Sequence, residues 1–230
     1  MEIAGTADSH RFRDAGMRIK GLRAFLLALV AALWLMPVAG RAAPLALVGF
    51  GDSLMAGYQL PSSESFPAQL EKALRDKGHD VTIANAGVSG DTTSAGLARI
   101  DWSVPGGTKG VILELGANDA LRGVAPEQSR KNLAAMIEKL QKRGIAVLLV
   151  GMLAPPNLGA DYAARFNSIY PDLAKTYDVP LYPFFLDGIV EEAKFKIDDG
   201  MHPNGAGIGI MVDRFLPVAE RFAATLSKGE

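Results

Sequence analysis

Four short segments carry residue types suited to nucleophilic catalysis by a serine hydroxyl. The first is F-G-D-S-L-M-A-G (Phe50 to Gly57), where Ser53 follows the apolar run L-A-L-V-G-F almost directly. A serine hydroxyl becomes a useful nucleophile only when a neighbouring base takes its proton, usually an imidazole that a carboxylate holds in the right tautomer. The chain has three histidines: His10, His79 and His202. His202 lies in I-D-D-G-M-H-P-N (Ile197 to Asn204), three residues after Asp199 in a stretch punctuated by Gly200 and Pro203. A loop that short can present both groups on one side. The reaction also needs fixed donors for the developing oxyanion. Candidates are the N–H of Ser53, the N–H of Gly90 in N-A-G-V-S-G-D-T, and the side-chain amide of Asn118 in L-G-A-N-D. Taken singly, each has an ordinary explanation as a turn, a helix cap or a helix entry. Their joint occurrence is what points to catalysis.

Those residues must be positioned by elements, and the chain alternates short apolar runs with amphipathic stretches. Strands are expected at Leu45–Phe50, Val81–Gly87, Gly110–Gly116, Ile145–Met152 and Val179–Phe185. The last is interrupted by proline and suits a sheet edge. Between them, Phe66, Leu70 and Leu74 recur at helical spacing, with Gly78 as a stop. A second helix follows Asp91 as N-cap, and a third runs from Pro126 to Gly144. Asp161–Tyr177 is helical with a break near Pro171, and a final helix covers about Asn204 to Leu226. Strands that are apolar throughout belong in a parallel sheet covered on both faces. The expectation is an α/β fold: a single three-layer α/β/α domain with a five-stranded parallel sheet in the flavodoxin-like order 2-1-3-4-5. In that order the first three strands are neighbours, and the Ser53, Gly90 and Asn118 loops converge at their carboxyl ends. His79, in K-G-H-D before strand two, falls at the opposite ends. The fifth strand is remote from the first, so the His202 loop must reach back across the sheet.

Composition narrows the alternatives. The chain has 230 residues, formal net charge −1, 49% hydrophobic residues and no cysteine. A disulfide, a thiolate metal site and a cysteine nucleophile are excluded, and so few histidines argue against a transition-metal centre. No basic stripe with interleaved aromatics suggests a nucleic-acid partner. N-G-A-G-I-G (Asn204 to Gly209) and P-G-G-T-K-G (Pro105 to Gly110) lack the spacing and context of dinucleotide and phosphate loops. Met55 stands where the last glycine of G-x-S-x-G would be, so the α/β-hydrolase elbow is absent.

Residues 1–43 read as an extension plus a secretory signal peptide. A basic stretch, Arg18 to Arg23, precedes an apolar core at 24–40, and R-A-A follows, with Ala42 or Ala43 as the last residue removed. An uncleaved anchor helix is the alternative; Met17, just before the basic stretch, is the expected start, with Met1 the other candidate. Cleavage would leave a mature domain from residue 44 to 230 with no stable membrane span, periplasmic or secreted.

The four segments together resemble the SGNH, or GDSL, hydrolases: F-G-D-S-L, N-A-G-V-S-G-D-T, L-G-A-N-D and D-G-M-H-P-N occur in the order of that family's blocks. The resemblance extends from about Leu45 to the C-terminus. S-G-D-T-T, L-E-L-G-A-N-D-A-L-R-G and D-V-P-L-Y-P-F-F are similar to the bacterial thioesterase I, arylesterase and lysophospholipase L1 branch. It implies Ser53 as nucleophile, Asp199 and His202 as its partners, and an oxyanion hole from Ser53, Gly90 and Asn118. It also implies a small-molecule thioester, aryl ester or lysophospholipid as substrate, with no cofactor and no metal. Ala120–Val124 and Met152–Gly159 should flank the crevice, with Leu121, Leu153 and Pro155 lining an acyl channel unless they pack only on each other. A carbohydrate or acetyl esterase of the same superfamily, and a non-catalytic periplasmic lipid-binding protein, remain as alternatives. The oligomeric state is not encoded in any feature noted.

Overall fold

Five parallel strands line up in the order β2-β1-β3-β4-β5 in a computed structural model that describes residues 43–227. The expected signal segment, with its apolar core at 24–40, lies outside the described residues. The strands are β1 (Leu45–Gly51), β2 (Val81–Gly87), β3 (Gly110–Glu114), β4 (Ala146–Val150) and β5 (Leu181–Tyr182). Every residue of β3 is buried, as are six of the seven in β1, which is why those runs are apolar without alternation.

The helices are α1 (Ser53–Ala56), α2 (Phe66–Asp76), α3 (Thr93–Ser103), α4 (Ala117–Leu121), α5 (Pro126–Lys142), α6 (Ala160–Asn167), α7 (Ile169–Tyr177) and α8 (Gly205–Ser227). Right-handed crossovers put the helix of a leftward connection and those of rightward connections on opposite faces of the sheet. Thus α2 covers one face and α3, α5 and α7 the other. The last helix, α8, returns to pack beside α2. An aromatic cluster joins the two: the Phe66 ring meets Phe215 at 5.2 Å and Phe185 at 4.7 Å, both edge-on. Pro217 sits inside α8 without ending it.

Three local expectations need correction. The N-cap of α3 is Thr92, whose hydroxyl accepts the Ala95 N–H at 3.3 Å. Asp91 lies one residue too early and pairs with Arg99 instead, at 2.6 Å. The break in the 161–177 helix falls at Ser168, between α6 and α7. A proline ring collides with the carbonyl four residues back, so Pro171 acts at Asn167 rather than at its own position. Finally, β5 has only two residues, between Pro180 and Pro183; neither proline has an N–H to continue a ladder. It is the sheet edge, as its composition suggests.

Candidate active site

The register of the central strands sets the site. Gly51 of β1 is level with Gly87 of β2, and Phe50 with Leu113 of β3, so three loops leave the sheet side by side. From β1 the chain turns directly into α1. Asp52 caps it, its Oδ1 accepting the Leu54 N–H at 3.0 Å. Ser53 opens the helix, and its N–H is one of those a helix start leaves without an internal partner.

The loop after β2 is shaped by Gly90, whose φ of +87° is a backbone state that side-chain-bearing residues rarely adopt. Space is not the constraint: a Cβ there would approach only an Arg122 nitrogen, at 3.9 Å. That guanidinium donates to the Gly90 carbonyl at 2.9 Å. Arg99, almost fully buried, ties the strand ends together. It pairs with Asp91 and donates to the carbonyls of Ala86 and Gly51, each at 2.9 Å. Its guanidinium carbon lies 4.0 Å from the Phe50 ring centroid.

After β3, α4 carries Asn118 and Asp119. The Asn118 amide donates to the Asp91 carbonyl at 3.0 Å and to Asp52 Oδ2 at 3.2 Å. Asp119 is buried and accepts from the Thr93 N–H at 2.7 Å, the Thr93 hydroxyl at 2.5 Å and the Ser129 hydroxyl at 2.9 Å. This carboxylate fixes the start of α3 against α4 and α5, and with it the loop that holds Gly90.

The fourth segment comes from the other end of the chain. Lys196 and Pro203 face each other across an antiparallel bridge, and the Ile197 N–H donates to the His202 carbonyl at 2.9 Å. Within this narrow loop, Asp199 Oδ1 accepts the N–H groups of Met201 and His202 at 2.8 and 2.9 Å. The reach across the sheet is achieved because the start of α8 is pinned to the start of α2. Gln69 donates to the Gly205 carbonyl at 3.0 Å. His202 therefore arrives beside β1, not beside β5.

There His202 Nε2 is 2.8 Å from Ser53 Oγ, and Nδ1 is 2.6 Å from Asp199 Oδ2. The His202 ring also lies 4.6 Å from that of Tyr58. Ser53, Gly90, Asn118 and His202 line one cavity of about 440 Å³, together with Leu121, Leu153 and Pro155. Asp199 stands behind His202 and is not part of the lining. Leu54, Tyr58, Ala117, Met152, Leu186 and Met201 complete the apolar wall. The remaining histidine of the described residues, His79, is 3.7 Å from Glu220.

The charges around the site are tuned in opposite directions. Hydrogen bonds from the His202 and Met201 N–H groups, and then from the His202 ring, pull the Asp199 carboxyl down to about 2, so it is anionic at any ordinary pH. Burial pushes Asp52 up to about 6, against the Leu54 N–H, the Asn118 amide and the His202 charge. Burial, and next the Asp52 charge, push Glu114 well above the usual carboxylate range. Such an arrangement can draw the proton from Ser53 to His202, hold the imidazolium against Asp199 and present donors to an oxyanion.

Four residues that shape the site escaped the sequence reading: Glu114, Arg99, Arg122 and Tyr58. The one available signal was Glu114 itself, a lone acid inside the otherwise apolar run G-V-I-L-E-L-G.

Residues 50–209 match the model of the GDSL-like lipase/acylhydrolase family. An arylesterase of Vibrio mimicus is 44% identical over 158 residues, which are 68% of this chain and 79% of that protein. Esterase TesA of Pseudomonas aeruginosa is 40% identical over 183 residues, 79% of this chain and 90% of its own. Among solved structures, AlinE4, described as an SGNH-hydrolase family esterase, superposes with a TM-score of 0.67 at 46% identity. It covers 79% of this chain and 97% of that one. The chain belongs to the GDSL-like lipase/acylhydrolase family. It is a hydrolase of the esterase and thioesterase kind.

Proposed function

We propose that this protein is a serine esterase that cleaves carboxylic esters and thioesters through an acyl-enzyme. The observation that carries this reading is the continuous Ser53–His202–Asp199 hydrogen-bond chain, 2.8 and 2.6 Å per link, opening into an apolar cavity. In this reading His202 Nε2 takes the proton of Ser53 as Oγ attacks the acyl carbonyl. The Ser53 and Gly90 N–H groups and the Asn118 amide hold the oxyanion. His202 then gives its proton to the leaving alcohol or thiol, and a water molecule repeats the sequence on the acyl-enzyme. Asp199 keeps the imidazole oriented and balances its charge.

The substrate class we propose is acyl thioesters, aryl esters and lysophospholipids, the acyl part lying along Leu121, Leu153 and Pro155. The names of the relatives support it: arylesterase, esterase, and, for an Escherichia coli protein 38% identical over 159 residues, thioesterase 1/protease 1/lysophospholipase L1. Residues 1–43 would direct the catalytic domain, 44–230, to the periplasm or the medium. Among the described residues no helix is long and apolar enough to cross a membrane.

The test is hydrolysis of p-nitrophenyl esters from acetate to palmitate, wild type beside Ser53→Ala. Loss of turnover on the order of 10⁴-fold or more is expected, with rates favouring medium or long acyl chains. A sharp preference for acetate would move the reading to an acetyl esterase. Activity that survives the substitution, or absence of both turnover and fluorophosphonate labelling of Ser53, would overturn it.

A further inference from the structure

Directly beneath the Ser53 turn lies a second pair of acids that the reaction as written does not use. Asp52 is 0% exposed and Glu114 is 1% exposed. Glu114 Oε2 accepts the Asp52 N–H at 3.2 Å, and each of the two neighbouring carboxyl groups acts on the other's ionisation. Gly51 makes room for this approach: a Cβ there would come within 2.5 Å of Glu114 Oε2. Both Asp52 oxygens face N–H donors, Oδ1 the Leu54 N–H and Oδ2 the Asn118 amide. Asp52 is thus arranged as an acceptor, which suits the anion. Glu114 Oε1, by contrast, is buried and receives no donor.

An ionised Glu114 would put an unpaired charge in the core, where desolvation is most costly. The groups around it do not relieve that cost. The Tyr170 hydroxyl, from α7, donates to the Leu115 carbonyl. Asp119, from α4, is already satisfied by Thr93 and Ser129. Arg99, from α3, is spent on Asp91 and the carbonyls of Ala86 and Gly51. His202, from the loop before α8, acts on Asp52 and is engaged by Ser53 and Asp199. A carboxylic acid that donates to its neighbour satisfies both oxygens at once.

We propose that Glu114 is a positioning residue: it keeps its proton, donates it as a hydrogen bond to the Asp52 carboxylate, and thereby sets how firmly Asp52 holds the Asn118 amide. The inference rests on the esterase reading above. Asn118 has two amide hydrogens, and in the structure both face protein acceptors, Asp91 at 3.0 Å and Asp52 at 3.2 Å. To bind an oxyanion, the amide must give up part of the longer bond. With the Glu114 proton present, the Asp52 charge is shared among three donors and lets the Asn118 hydrogen go. Without it, Asp52 competes with the oxyanion for that hydrogen. The effect belongs to the transition state, so it falls on kcat and not on KM.

The test compares wild type, Glu114→Gln and Glu114→Met by infrared spectroscopy and steady-state kinetics on one p-nitrophenyl ester at neutral pH. Wild type should show the carbonyl stretch of a protonated buried carboxyl, missing from Glu114→Gln and still present in Ser53→Ala. Glu114→Met, of similar length but without a donor, should lose kcat on the order of 10²-fold with KM unchanged. Glu114→Gln, a permanent neutral donor, should restore most of that loss. Absence of the carbonyl band would overturn the proposal, as would a folded Glu114→Met with wild-type kcat or a Glu114→Gln no better than Met. Should Glu114→Met fail to fold, the band and the activity of Glu114→Gln decide alone. The band reports on the proton even if Ser53 proves unnecessary for hydrolysis, so the two readings fail separately.

Discussion

The Ser53 turn and the Asp199–His202 loop meet at a single hydrogen bond, yet they are built on opposite principles. The turn rests on buried and half-buried groups drawn from distant parts of the sequence: Glu114 under Asp52, Asn118 against it, Arg99 on the Gly51 carbonyl. The loop is held mostly by itself. Asp199 accepts from N–H groups two and three residues on, its side chain is 35% exposed, and one antiparallel bridge closes the base of the hairpin. The position of Ser53 is therefore a property of the whole core. That of His202 is a property of eight residues and the Gln69–Gly205 pin. Damage to the loop should cost activity and spare the fold, whereas damage to the buried network should cost both.

Asp199→Asn tests the loop side most severely. It removes the charge that fixes the imidazole tautomer, and turnover should fall on the order of 10⁴-fold. Its urea midpoint should move less than that of any variant in the buried network; a large loss of stability would erase the contrast. Asn118→Ala lies on the boundary between the two regions. Its kcat should drop on the order of 10²–10³, and an enzyme of full activity would remove Asn118 from the oxyanion hole. Asp119→Ala probes the core side, leaving the Thr93 and Ser129 donors buried and unpaired. The expected cost is about 1–3 kcal/mol of stability per orphaned group, read by urea unfolding, with activity falling only as the Gly90 loop loosens. Unchanged stability would show that α3 is anchored elsewhere.

The smallest effect is one of pH. Asp199 titrates at about 2 in the fold, below its ordinary value of 3.8. A group whose folded value is depressed stabilises the protein above the unfolded value, and loses that contribution as pH falls through the folded one. Thermal unfolding of wild type and Asp199→Asn should thus differ by a constant small amount above about pH 4 and converge towards pH 2. A difference that persists to the lowest pH would mean the carboxylate contributes nothing through its charge.

The same contrast explains what could be read from the sequence. The covered parallel sheet was legible because the runs at Leu45, Gly110 and Ile145 are apolar but for Glu114 and Gly or Pro marks their ends; the strand order followed from the common order for such a sheet. Ser53 and Asn118 stand out as polar residues just past strand ends, Gly90 as a glycine in the loop after β2, and Asp199 with His202 as a close acid–imidazole pair before the last helix. The buried support does not. Glu114 inside an apolar strand has no periodic signature, and Arg99 looks like the exposed face of an amphipathic helix until Asp91 and two carbonyls are found around it. The short helices α1 and α4, four and five residues long, hold too few turns to show a period. The reach of the His202 loop depends on Gln69 meeting Gly205, a contact between residues 136 positions apart. No local pattern announces it.

The order of the segments along the chain has a consequence for when the protein becomes competent. Ser53 is made early and His202 comes 149 residues later. A ribosome delivers the hydroxyl long before the imidazole of His202. On the esterase reading, Ser53 is an ordinary alcohol until α8 has emerged and settled beside α2. Its reaction with a fluorophosphonate would thus be a clock for the last docking step, marking the moment at which Ser53 and His202 meet.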